Sequence, residues 1–213
     1  MNPEIRAVLF DLDDTLLENN VHRFVQGYFD LLTPYLAGSV APERIVPALL
    51  HATFAMIGNG DPSFTNQQVF IGDFCPRVGL GAEEVMPLFD AFYASQYDGL
   101  RSLTRPHPQA RAVVQIAFDA GCDVIVATNP IYPETAIRKR MEWAGVADFP
   151  FKLVTSYEVM HSTKPNPRYY AEISERIGRS PRECVMVGDD WDNDIAPAMK
   201  AGLQIFWTPA GTG

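Results

Sequence analysis

The apolar positions of this chain change period along its length. Residues 6–10 form a short β-type run that ends in Val8, Leu9 and Phe10. From about Asn20 to Asp98 the large apolar residues instead recur every three or four positions. Phe24, Tyr28, Leu31 and Tyr35 make one stripe, and Ile45, Leu49 and Met56 a second. Phe70, Phe74 and Val78 make a third, and Val85, Leu88, Phe89 and Phe92 a fourth. This is the period of helices that bury one face, so four helices in a small bundle are predicted. Gly38 and Gly58 are expected to close the first two. Pro47 and Pro87 fall inside two of the stripes and predict late starts or kinks there, because proline lacks the N–H that a helix interior uses.

Beyond Pro106 the two periods alternate. Helical patterns over 108–120, 133–144, 167–177 and 194–201 are each followed by a glycine, namely Gly121, Gly145, Gly178 and Gly202. A glycine just past a helix suits a left-handed C-cap. Short apolar runs follow over 122–127, 151–155, 184–187 and 204–207. Strand alternating with helix predicts a parallel sheet with helices on both faces, a Rossmann-like α/β fold. Residues 1–15 and 100–213 are therefore expected to form one core domain. Residues 16–99 are expected to be a helical domain inserted after the first strand.

Composition narrows the partners. With a net charge of −9 over 213 residues, the chain offers no basic face, so neither nucleic acid nor an anionic membrane is expected as a partner. There is no charged-then-apolar leader and no apolar run long enough to cross a bilayer. Cys75, Cys122 and Cys184 are widely spaced and odd in number, without metal or redox spacing, and Cys122 and Cys184 are read as buried residues at strand starts. A reducing cytoplasm is the expected compartment. Nothing in the sequence bears on oligomeric state.

The chemistry lies where strands end. In open parallel sheets, ligands bind beyond the carboxyl ends of the strands. After the first strand come Asp11, Asp13 and Asp14; after residues 124–127 come Thr128 and Asn129; after residues 185–187 come Asp189 and Asp190, with Asp194 further on. Lys164 stands in a loop before a helix. Carboxylates this close raise one another's pKa and resist joint ionisation. A hard cation with oxygen ligands, usually Mg²⁺, relieves them. Thr128, Asn129 and Lys164 add hydrogen-bond donors and one positive charge. Such a set suits phosphoryl transfer, with Asp11 attacking phosphorus and Asp13 protonating the leaving oxygen, then activating water. Each short motif alone is compatible with an ordinary turn; their joint placement after strands is what points to a site.

DLDDTL, TN, KP and GDDWDND, in that order, resemble the four motifs of the haloacid dehalogenase-like superfamily, and the insertion after the first motif is similar to that family's helical C1 cap. The resemblance implies a nucleophilic, metal-ligating Asp11, an acid/base Asp13 whose carbonyl also ligates Mg²⁺, and Thr128 with Asn129 at the phosphoryl group. It further implies Lys164 as the residue that steadies that group. It implies Asp189 as the metal-ligating side chain of the last motif, with Asp190 and Asp194 of the same acidic loop also at the metal, acting through water or Lys164. Asp14 stands where many phosphatases of the family have glycine. His22 and Arg23, just past the hinge, are candidates to contact substrate. Phe24, Tyr28, Phe89 and Phe92 are read as bundle core. Asn19 and Asn20 are read as helix-capping residues.

The resemblance also sorts the reactions. Dehalogenases of the family lack the second Asp, so Asp13 favours phosphate esters. Phosphonate hydrolysis in the family uses a cap lysine, and residues 16–99 contain none. The expected activity is Mg²⁺-dependent hydrolysis of a small phosphate monoester, of sugar phosphate, phosphoglycolate or nucleotide type, through an aspartyl-phosphate. A phosphomutase of the same superfamily and a non-catalytic binding or signalling member are the alternatives. A lid over Asp11 would favour small phosphorylated metabolites.

Overall fold

The computed structural model describes residues 4–209. Five strands form one parallel sheet: β1 (Ala7–Phe10), β4 (Asp123–Val126), β5 (Leu153–Val154), β6 (Cys184–Gly188) and β7 (Gln204–Trp207), in the order β5-β4-β1-β6-β7. β1 is the central strand, paired with β4 on one side and β6 on the other. Both of its faces are covered, which is why the strands read as near-continuous apolar runs and not as alternating ones. Leu9, Ile125 and Met186 pack on one face against Ile173 of α7 (Pro167–Ile177) and Ala198 of α8 (Ala196–Lys200). Phe10, Val124 and Val126 pack on the other face, with Val114 of α5 (Ala110–Asp119) and Ile137 of α6 (Glu134–Trp143).

Between β1 and β4 lie β2 (Leu17–Asn19) and four helices: α1 (Val21–Leu36), α2 (Pro42–Gly58), α3 (Asn66–Val78) and α4 (Ala82–Ser95). A 3₁₀ segment (Tyr97–Leu103) and β3 (Thr104–Pro106) follow. β2 and β3 pair antiparallel, Leu17 opposite Pro106 and Asn19 opposite Thr104. This two-stranded ribbon joins the segment leaving the sheet to the one returning, and the sequence pattern contains no sign of it, because three-residue strands carry no period. The helices share an aromatic interior. Tyr28 stands edge-on to Phe92 and Tyr97, and Phe70 stacks on Phe74 with centroids 5.3 Å apart. The start of α3 touches the sheet's loops: Asn66 N–H donates to the Met160 carbonyl at 2.8 Å, and Gln67 N–H to that of Tyr157 at 2.8 Å.

Gly121, Gly145, Gly178 and Gly202 take φ between 69° and 89°, the left-handed caps the sequence predicts. Gly38 and Gly58 do not. α1 ends at Leu36 on an Ala37 cap with right-handed geometry, and Gly58 is the last residue within α2. The prolines do not delay their helices either: α2 begins at Pro42 and α4 at Ala82, each five residues ahead of the internal Pro47 or Pro87. Cys184 is buried as expected, but Cys122 sits just before β4 and is partly exposed.

Candidate active site

β1, β4 and β6 end at one rim, and the chain after each turns into the same cleft. Asp11 follows β1 directly; its N–H donates to the Val187 carbonyl of β6 at 2.9 Å, which holds it in line with the sheet. Asp13 and Asp14 come next, in a tight turn. Asp14 occupies the left-handed region at φ 60°, where an L-residue is disfavoured and short polar side chains are best tolerated. Its carboxylate accepts the Asn19 N–H at 2.8 Å, a local bond that offsets the conformational cost and accounts for aspartate where glycine would be expected.

Lys164 is the hub. Its buried ammonium donates to Asp11 Oδ1 at 2.6 Å and to Asp194 Oδ1 at 2.5 Å. The Asn129 side-chain oxygen accepts the Lys164 N–H at 3.2 Å, so the residue after β4 ties down the loop that carries the lysine. The Thr128 carbonyl accepts from Thr155 Oγ1 and Tyr169 Oη, both at 2.8 Å, which fixes the backbone where its side chain enters the cleft wall. Gly188 ends β6 against Asp194: a Cβ on Gly188 would lie 2.3 Å from Asp194 Oδ2.

Oxygens of Asp11, Asp189 and Asp194 all lie within 4.8 Å of one another. Burial pushes the Asp11 carboxyl well above the usual range, with Lys164 opposing and Asp194 adding to the rise. Burial and the neighbouring Asp194 and Asp14 push Asp189 up to about 6. Burial alone would lower the Lys164 ammonium, but Asp11 and Asp194 hold it well above its ordinary value. Three carboxylates against one ammonium leave an excess of buried negative charge. That imbalance and an all-oxygen donor set fit a bound divalent cation.

Within the acidic loop the structure separates Asp190 from Asp194. Asp190 is outside the carboxylate triad. Its side chain caps the π-turn Trp191–Ile195, accepting from the N–H groups of Asp192 and Asn193 and from Asn193 Nδ2 at 2.6 Å. Burial would raise its carboxyl, but these donors hold it below the usual range. Asp194, one turn on, points inward with 1 % exposure. The Asp13 side chain, read as acid/base and not as a side-chain metal ligand, accepts from Arg140 Nη1 at 2.5 Å and Asn19 Nδ2 at 3.0 Å.

The candidate substrate residues are displaced as well. His22 and Arg23 are exposed and line an adjoining cleft with Glu18 and Arg105, outside the one that holds Asp11. Asn20 caps α1, accepting the Arg23 N–H at 3.0 Å, but Asn19 does not cap: it is buried and serves Asp13. Arg140 is the residue sequence reasoning missed. It is 2 % exposed, lies over the Tyr132 ring with Cζ 4.8 Å from the centroid, and shares a helix face with Ala136, Ile137 and Met141. A lone arginine on that apolar stripe was the available signal.

The fold and this cleft define a Rossmann-like α/β enzyme built on an acidic, lysine-bridged centre at the carboxyl end of a parallel sheet. A family model for haloacid dehalogenase-like hydrolases matches residues 5–202, and the chain belongs to that family. It is 23% identical over 210 residues to a pyrophosphatase, PpaX, of Bacillus velezensis, covering 97% of this chain and 86% of that protein. It is 27% identical to a phosphoserine phosphatase of Thermus thermophilus, covering 97% and 90%. Among solved structures it resembles a 2-haloacid dehalogenase from Pseudomonas syringae pv. tomato, with a TM-score of 0.61, 24% identity, and 95% and 86% of the two chains covered. That likeness concerns the fold alone. No helix among the described residues is long and apolar enough to cross a membrane.

Proposed function

We propose that this hydrolase is a Mg²⁺-dependent phosphatase that cleaves a small phosphate monoester through an aspartyl-phosphate on Asp11, with residues 16–99 as its cap. The observation that carries the reading is the position of Lys164, shared between Asp11 at 2.6 Å and Asp194 at 2.5 Å. An ammonium there neutralises a buried nucleophile and lies beside the place where a phosphoryl group would sit. In this reading Asp11 attacks phosphorus in line. Asp13, once it has exchanged one of its donors Arg140 and Asn19 for a proton from solvent, gives that proton to the leaving oxygen and later takes one from the water that opens the intermediate. Thr128 donates to a phosphoryl oxygen. Asp11, Asp189 and Asp194 would hold the cation, with the Asp13 carbonyl as a further ligand, and the cation would supply positive charge that offsets the carboxylates and polarises phosphoryl oxygens. The pyrophosphatase and phosphoserine phosphatase relatives support phosphate hydrolysis over dehalogenation, as does the second aspartate, Asp13, and the phosphoserine phosphatase supports an ester as substrate.

The test is phosphate release from a panel of phosphorylated metabolites with Mg²⁺, with and without EDTA. Release that EDTA stops and Mg²⁺ restores is the expected result. No release from any ester in the presence of Mg²⁺ ends the reading.

A further inference from the structure

A mainly apolar, partly open cavity of about 140 Å³ lies next to the Asp11 cleft, between helices α1–α4 and the loops after β4 and β5. Leu49, Phe70 and Phe89 form its walls. Val25, Ile131 and Tyr132 line both this cavity and the cleft, so the two spaces share a wall. We propose that this cavity seats the leaving group of the substrate, and that this group is uncharged, apolar and about the size of one six-membered ring.

Three observations carry the assignment, which rests on the phosphatase reading above. The first is size. An enclosed apolar cavity of about 150 Å³ accepts a benzene ring, so a space of this volume beside a reactive centre matches an aryl or branched alkyl group. The second is charge. Among the described residues lining the cavity there is no Asp, Glu, Lys, Arg or His. The buried cations of the cleft are already committed, Lys164 to Asp11 and Asp194, and Arg140 to Asp13. A carboxylate or second phosphate on the leaving group would enter without a counter-charge, which is strongly unfavourable in an apolar site. The third is the polar feature of the aromatic wall. Tyr28 Oη and Tyr93 Oη are hydrogen-bonded at 2.8 Å, and burial holds both phenols well above their usual pKa, so both stay neutral. One of their two protons is used within the pair. A neutral pair of this kind offers no counter-charge to an ionic leaving group.

Alkyl esters keep leaving-group reactivity comparable, so the experiment compares benzyl phosphate and isopentyl phosphate with phosphoglycolate, phosphoserine and glycerol 3-phosphate in Mg²⁺. The expected kcat/KM is at least about 30-fold higher for the first two. In parallel, benzylphosphonate and methylphosphonate, which are not hydrolysed, are titrated calorimetrically into the Mg²⁺-loaded protein. Benzylphosphonate should bind at least about tenfold more tightly. Thr53 lines the cavity, and Thr53→Leu, which adds volume there, should shrink both preferences. Charged esters turned over as well as benzyl phosphate would overturn the proposal. So would equal affinity for the two phosphonates in the native protein, whether or not the variant folds. The phosphatase reading fails separately, by absence of phosphate release from every ester; the phosphonate titration then still decides whether the cavity receives an apolar group.

Discussion

Arg140 Nη1 and Asp13 Oδ2 are 2.5 Å apart, with the arginine side chain 3% exposed and the carboxylate 24%. The guanidinium reaches Asp13 from α6, across the cleft from β1. Asn19 Nδ2 holds the other carboxylate oxygen, so Asp13 is pinned from two sides. If Asp13 delivers the leaving-group proton, its aim depends on this clamp. Arg140→Met should then lower kcat by on the order of 100-fold for alkyl phosphates, whose leaving oxygens need a proton, and by much less for p-nitrophenyl phosphate. Arg140→Lys should recover part of the difference. An equal loss on both substrates would reduce Arg140 to a structural role. The change should also destabilise the fold, because it leaves part of a buried ion pair alone.

Asp11→Asn separates chemistry from folding. The Asp11 carboxyl is pushed well above the usual range, with burial as the main cause, so its charge is a cost to the metal-free protein. The amide keeps the shape and removes that charge. Phosphate release should fall to background, while the melting temperature without metal should stay the same or rise. Turnover near the native level would remove Asp11 as nucleophile.

The acidic centre also sets a pH dependence of stability. Asp189 keeps its proton in the folded state up to about 6, whereas in the unfolded chain it titrates near ~3.9. Between those values the folded state binds more protons, so stability falls as pH rises through the window and stays reduced above it. Asp11, also raised, acts in the same direction. A divalent cation binds the ionised carboxylates and reverses the loss. The rise in melting temperature on adding Mg²⁺ should therefore be larger at pH 7 than at pH 5. A rise that is the same at both, or larger at pH 5, would count against a carboxylate-bound cation.

Much of this architecture was legible from the chain. Helical and strand periods located the sheet and the four inserted helices, because burial dictates both. The rule that ligands collect beyond strand ends brought Asp11, Thr128, Lys164 and Asp189 to one cleft. What remained illegible depends on side-chain direction. Asp190 and Asp194 are chemically identical in sequence, and only the π-turn decides that one caps and the other faces Lys164. His22 and Arg23 follow the hinge closely, yet the start of α1 carries them onto a neighbouring surface. Tyr28 and Phe89 fit the reading as bundle core, being buried, but they also border a cavity, and cavities leave no periodic trace. The antiparallel β2–β3 ribbon pairs segments separated by the whole insertion, a contact no local pattern encodes.

Gly188 offers the sharpest test of how the centre is assembled. It follows the last β6 valine and has an ordinary backbone conformation, so its need for glycine is steric, not torsional. A Cβ there would sit 2.3 Å from Asp194 Oδ2 and 2.7 Å from Asp194 Cβ. The carboxylate end can swing away, but the Cβ is fixed by the turn that Asp190 caps, so the whole residue must retreat. That retreat would stretch the bond from Asp194 to the Lys164 ammonium and loosen the Asp11–Asp189–Asp194 group together. Gly188→Ala should therefore raise the Mg²⁺ concentration needed for half-maximal activity by at least about tenfold, the scale seen when supports of metal ligands are lost. The sheet should remain intact, since Gly188 pairs with Trp207 through backbone alone. Circular dichroism and a Mg²⁺ titration of activity check the two halves. An unchanged Mg²⁺ requirement in a folded variant would mean that Asp194 does not contribute to the cation site in the way its contact with Gly188 implies.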